Sequence, residues 1–501
     1  MISLMHRRWF RRLLWTLVTL ITLWVLLAAV LSWTGQRRWQ RLQDELQAKG
    51  ETLDFLSLLP PAIPDGQNLA AIEALNGIRR PSGHSPEAKA AEAKRQALQS
   101  ACKLVGAPLR KAMEGDVFHH ARAPELSQII QALQEQKDPL VPPNADAQVL
   151  RLALEKKVPE LKQLAESMRS RPKVEFLPRW DAITLPEFIF ALPVPHYQTV
   201  QDLARMVRLH GLACLESGDT VAAAADVEVI LLLCRGALKE PLLISHIVGL
   251  AMHHQAIELV WLVLRKRTAD EATLQRLQTA LEAVEIPKSL LQAMRGEMAA
   301  GADAAALLEA DARQRALLIE VTQAPPSKME GLLMALIPNG LFTHMKASIV
   351  RVEHDLLVRP ILESGLKNAL HKPDQAEAWS RSISLWKRPD YLLARLGLPA
   401  AGVVRTHSAF AENSRRQAML ACALEHHFIQ HGNYPAEMPG EAFDGTAMKY
   451  KLTPDGRYQL WHNGPDGKDD GGSLRMEKPG ATTGSVRTRT YLGDWVWRYA
   501  P

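Results

Sequence analysis

Asp466, Asp469 and Asp470 fall within NGPDGKDDGG, residues 463–472, where four glycines surround three carboxylates. Hard oxygen donors on so flexible a backbone suit calcium, and a divalent cation relieves the mutual repulsion of carboxylates this close. The spacing is not that of an EF-hand, which uses alternating ligands and a closing Glu. Backbone carbonyls near Asn463 or Gly464 would therefore have to complete the roughly six to eight oxygens that calcium takes. The competing reading is an acidic turn open to solvent.

Two histidine groups also carry ligand chemistry: His427 and His431 at i,i+4 with Glu425 nearby, and His253, His254 and Glu258. Neither has the HExxH order that joins two zinc ligands to a base, and ordinary core or surface histidines are the plainer reading. GxSxG, Walker and GxGxxG patterns are absent, which lowers the case for an enzyme without removing scattered catalytic residues. Cys102, Cys214, Cys234 and Cys422 show no CxxC or zinc spacing. A helical hairpin turning near Gly218 sets Cys214 and Cys234 out of step by about 12 residues, or about 18 Å, so four buried thiols are expected.

These residues need elements to hold them. The helical pattern before the acidic loop should stop at Gly432, and Pro435 cannot continue it. Residues 447–452 and 457–462 alternate as strands around Thr453-Pro454-Asp455-Gly456, a hairpin. The carboxyl end alternates Trp495, Trp497 and Tyr499 against Val496 and Arg498, a last strand whose aromatic face packs on the preceding helix. The order of long helix, HGNYP loop, AFDG, hairpin and GPDGKDDGG resembles the C-terminal half of type II secretion pseudopilins. That resemblance covers the last fifth of the chain and implies a small α+β module with calcium at Asp466, Asp469 and Asp470. A prepilin processing site is absent ahead of the apolar segment, so pilus assembly is not implied with it.

At the other end, residues 13–33 form an apolar run of about 20 residues, the length of a transmembrane helix. A cleaved signal peptide competes, but this run exceeds the usual h-region and lacks a small-x-small site, so retention is expected. Arg7, Arg8, Arg11 and Arg12 precede it and Arg37, Arg38 and Arg41 follow. The slight excess before the run favours a cytoplasmic start at residues 1–12 and an exported body.

Between these ends, residues 34–400 read as mainly helical. The clearest unit is a helix, turn and helix over residues 201–235, with Leu203, Met206, Val207, His210 and Cys214 on one face and Asp219 capping the second helix. It resembles a tetratricopeptide repeat, although no clean second copy follows at that period. Residues 242–264 are apolar, yet His246, His253, His254, Gln255 and Glu258 make them costly in lipid, and a buried helix is expected. Further helices are expected at 269–284, 289–323, 341–366 and 374–386. The proline-punctuated block at 50–75 and the segment at 170–197 are similar to a family of uncharacterised bacterial single-pass envelope proteins, which brings architecture without an activity.

The 501 residues, 47% hydrophobic, can bury real cores, and a net charge of +6 with no basic-aromatic interleaving does not imply nucleic acid. The expected fold is mainly α: a transmembrane helix, an irregular, partly tetratricopeptide-like helical domain, and an α+β module at 401–501. The expected role is an inner-membrane envelope protein that binds or scaffolds protein partners. The alternatives are a component of a secretion or pilus-like assembly, or an exported hydrolase.

Overall fold

The computed structural model describes residues 2–79, 85–103, 107–113, 121–136, 139–176, 195–311, 315, 334, 336–367, 375–437, 440–473 and 493–499. Most of these residues are helical, and the chain opens on α1, Ile2–Ala48, a single helix about 70 Å long at 1.5 Å per residue. Its first part is exposed and apolar, long enough to cross a membrane. The last part turns amphipathic: Gly35, Trp39, Leu42 and Leu46 are buried at spacings of three and four, one stripe of a helix.

Five helices follow among the described residues: α2 (Pro86–Cys102), α3 (Ala107–Met113), α4 (Leu126–Gln134), α5 (Ala147–Lys157) and α6 (Glu160–Ser167). Ser85 and Asp146 cap the first residues of α2 and α5 through their side chains. The centre of the molecule is α7 (Pro195–Glu216), α8 (Thr220–Leu238) and α9 (Leu243–Lys266), which pack on one another. Gly218 turns at φ +89° between α7 and α8, and Asp219 accepts from Ala222 N–H at 3.0 Å, as its position predicts. Helix α9 is apolar enough to span a membrane by composition, but 78% of its apolar window is buried inside the protein. Of its polar residues, His246 bridges Ser289 and Ser408 at 2.8 Å each, while both ring nitrogens of His253 are buried without a partner among the described residues.

Next come α10 (Glu271–Glu282), α11 (Ile286–Ala310) and α12 (Asn339–Glu353). The helix expected at 289–323 thus begins earlier and breaks at Asp311; most of its expected C-terminal part lies outside the described residues. Beyond α12 a π-turn at His354–Val358 leads into α13 (Arg359–Ser364). Pro360 has no N–H to give the preceding turn, which accounts for the change of winding. After α14 (Gln375–Ser382) and α15 (Leu392–Gly397), the long α16 (Pro399–His431) ends on Gly432 at φ +74°.

The sheet is antiparallel in the order β1 (Lys449–Leu452), β2 (Tyr458–His462), β3 (Trp495–Trp497). The hairpin turns at Gly456, and Tyr450 faces Leu460 across it. Both faces of β2 and β3 are covered, so Val496 is as buried as Trp495, which a one-faced strand would not require. Phe410 of α16 meets Trp495 edge-on, and Tyr499 stacks on Trp261 of α9 with ring centres 5.6 Å apart. The larger core runs through α7 to α10 into α16 and the sheet, while a second core joins α1, α11 and α12.

Candidate functional site

The acidic loop folds back over the outer face of the sheet. Gly464, Gly467, Gly471 and Gly472 all have positive φ, which lets the chain reverse twice in ten residues. Asp466 accepts from Lys468 N–H at 3.0 Å, closing a local turn. Asp469 accepts from the Trp461 indole at 2.9 Å and from Gly471 N–H at 3.0 Å, and pairs with Lys449. The Lys449 ammonium and the Trp461 N–H hold the Asp469 carboxyl down at about 2. Asp470 donates its backbone N–H to Asp494 at 3.0 Å, and Gly472 N–H donates to the same oxygen at 2.7 Å.

Asp494 is thus the residue that ties the loop to β3, and it was not singled out in the sequence because only the aromatic alternation after it stood out. The residue is fully buried, and its Oδ1 has no partner among the described residues. Burial, then the charges of Asp469 and Asp470, push its carboxyl above the usual range.

The histidine groups go separate ways. His427 and His431 stack with ring centres 4.2 Å apart, and their Nδ1 atoms face the backbone carbonyls of Asn433 and His427. Glu425 turns inward instead, accepting from the hydroxyls of Tyr434 at 3.0 Å and Tyr458 at 3.2 Å. His253 is wholly buried, and burial drives its imidazole down to about 3. His254 lies 3.5 Å from Glu258, which pairs with Arg208 at 2.9 Å.

What the fold does assemble is His210, Cys214 and Asp226, whose ligand-type atoms lie within 4.8 Å of one another; among the described residues the loop aspartates form no such group. His210 and Cys214 share one face of α7, as their spacing predicts, and α8 brings Asp226 to them. His210 Nδ1 lies 2.6 Å from Asp226 and Nε2 lies 3.4 Å from Glu155 of α5, with the Cys214 sulfur 3.7 Å from the ring. Burial alone would lower the imidazole, but Asp226 and its neighbours lift it to about 10. Burial raises the Asp226 carboxyl as well, so the pair holds one proton between ring and carboxyl, with Glu155 at the other ring nitrogen. The cluster ties three helices together, α5 through Glu155, α7 through His210 and Cys214, and α8 through Asp226. All four cysteines are buried free thiols.

A pocket of about 400 Å³ opens where α1 enters the body beside α12. Arg37, Arg38, Arg41 and Arg351 line it with Trp33 and Leu42. Asp390 accepts from Arg38 at 3.0 Å, Ser348 at 2.7 Å and Arg388 at 3.0 Å; burial opposes its charge, but these donors hold the carboxyl well below its usual range. Glu45 is held at about 2, first by its hydrogen bonds from Arg351 and then by those from Lys49. Arg37 lies over the Trp33 ring at 3.9 Å.

No family model, curated protein or solved structure matches this chain, so the reading of its sites rests on their own geometry.

Proposed function

We propose that the chain is a membrane-anchored protein of the bacterial envelope, whose exported helical body binds or scaffolds protein partners. The observation that carries this is the packing of α1 on the body within the apolar run itself. A Cβ on Gly340 would sit 2.3 Å from Ser32 N and 2.4 Å from the Leu31 carbonyl carbon, and the Trp24 indole donates to Leu336 O at 3.2 Å, so the segment from Leu336 to Gly340 follows the second half of the run into the bilayer. An export signal destined for removal has no need of such contacts, whereas a permanent anchor uses them to fix the body against the membrane. The arginines before the run favour an inner-membrane span with a cytoplasmic N-terminus and a periplasmic body. The helical hairpin of α7 and α8, tetratricopeptide-like in its turn, suits a binding scaffold.

Intact mass of the chain recovered from membranes should include residues 13–33, and an alkaline-phosphatase fusion at the carboxyl end should be active. A soluble product beginning beyond Trp33, or an inactive fusion beside an active cytoplasmic reporter, overturns the reading.

A second reading concerns the pseudopilin-like module, α16 with the sheet and its loop, and a calcium ion there. The buried Asp494 Oδ1 has no partner among the described residues, and the charges of Asp469 and Asp470 reach its carboxyl; this favours the reading, because a carboxylate oxygen lacking a donor gains most from a cation. In this reading Asp466, Asp469 and Asp470 supply the loop side of the site, with Asp494 behind them. Calcium should raise the melting temperature of the full chain relative to chelator, and Asp494→Asn should remove that rise. Equal melting with calcium and with chelator removes the ion.

A further inference from the structure

The pocket between α1 and α12 sits at a definite depth if α1 spans a membrane. Arg37 and Arg41 follow Trp33 by four and eight residues, about 6 and 12 Å along the helix. The headgroup layer on each side of a bilayer core is about 5–7 Å thick. Side chains on a helix lean toward its N-terminus, so both guanidinium groups lean back toward the lipid.

Four arginines face this space, and two carboxylates answer them, Asp390 to Arg38 and Glu45 to Arg351. Arg37 and Arg41 have no ion pair among the described residues, and both are exposed. The pocket thus keeps an excess of two positive charges. Asp390 and Glu45 also hold Arg38 and Arg351 in fixed positions, so part of the site is organised before any ligand arrives. A second feature marks the same side of the body: Trp386 is 97% exposed, directly ahead of Lys387 and of Arg388, which shares Asp390 with Arg38. Exposed tryptophan beside basic residues is the composition of a membrane-interface contact.

We propose that this pocket binds the phosphate of an anionic phospholipid headgroup, with Arg37 and Arg41, which have no ion pair among the described residues, as its responsive cations, Arg38 and Arg351 as its fixed ones, and Trp386 seated in the same interface. The pocket's volume accommodates a headgroup, and planar guanidinium forks match phosphate oxygens two at a time. The proposal rests on α1 being a membrane helix, and it adds the lipid class that the anchor selects.

The test uses the full chain purified in a neutral detergent, its intact mass showing that residues 1–33 are present. Its melting temperature is followed against phosphatidylglycerol, phosphatidylcholine and inorganic phosphate. Phosphatidylglycerol should raise the melting temperature by several degrees, and phosphatidylcholine should not. Arg37→Gln with Arg41→Gln should bind phosphatidylglycerol roughly thirtyfold more weakly, while Lys89→Gln with Lys288→Gln, two exposed sites elsewhere, should bind it unchanged. Arg37→Lys with Arg41→Lys, which keeps both charges, should retain most of the effect. Equal responses to the two lipids, or an undiminished response in the Gln variant, overturn the proposal. A response to inorganic phosphate as large as that to phosphatidylglycerol overturns the lipid assignment in favour of a soluble phosphate. Absence of residues 1–33 from the membrane-derived chain would instead refute the anchor, so the two readings fail in different measurements.

Discussion

At the level of single residues, the most consequential group is His210 between Asp226 and Glu155, with Cys214 and Arg151 close by. Its pKa is lifted from 6.5 to about 10 in the folded protein, so the folded state holds a proton that the unfolded chain releases over that interval. The stabilisation is complete below about pH 6.5 and is lost as pH rises through about 10. Melting temperature should therefore fall across that window. In His210→Gln with Asp226→Asn the fall should be shallower, which a pH series of melts on the full chain would check. The single change His210→Gln should cost about 3–5 kcal/mol, because it strands a buried carboxylate, and adding Asp226→Asn should recover part of that loss. No such residue was legible as a site in advance: HxxxC on a helix face reads as core, and Asp226 sits in an alanine-rich helix where nothing marks it. The histidines that did stand out, His427 and His431, are neighbours only along their own helix.

At the level of elements, the close crossing of α1 and α12 is decided by two glycines. Gly35 would place a Cβ 3.1 Å from Gly340 O, and Gly340 would place one against the backbone of Leu31 and Ser32. Backbone cannot rotate away as a side chain can, so Gly340→Ala must push the helices apart. It should cost at least about 1–3 kcal/mol and expose α1 near Ser32 to limited proteolysis. Gly66→Ala is the control: nothing lies within 4 Å of its Cβ position, and melting and cleavage should be unchanged. Unaltered behaviour of Gly340→Ala would show that the crossing is looser than its distances imply. The helices and turns themselves were readable from local pattern. Gly432 ends α16, Asp219 caps α8, and Gly456 closes the hairpin where the sequence places them, because each demand is met within a few residues.

At the level of the whole molecule, the exposed apolar part of α1 and the buried α9 look alike in composition, and packing separates them. Polar residues such as His246 predicted that α9 belongs inside protein; its partners Ser289 and Ser408, from two later helices, show how that is done. The sequence by itself determined the elements whose cause is local: an N-terminal helix apolar enough for a membrane, a mainly helical body, a hairpin and an aromatic last strand. Tertiary structure alone decided which charges meet. Arg38 finds Asp390, Arg295 finds Glu51, and Asp494 gathers a loop that closes more than twenty residues before it. Periodicity specifies which face of an element is apolar, but a contact between distant elements depends on how those faces pack, and no local pattern in the chain records that choice.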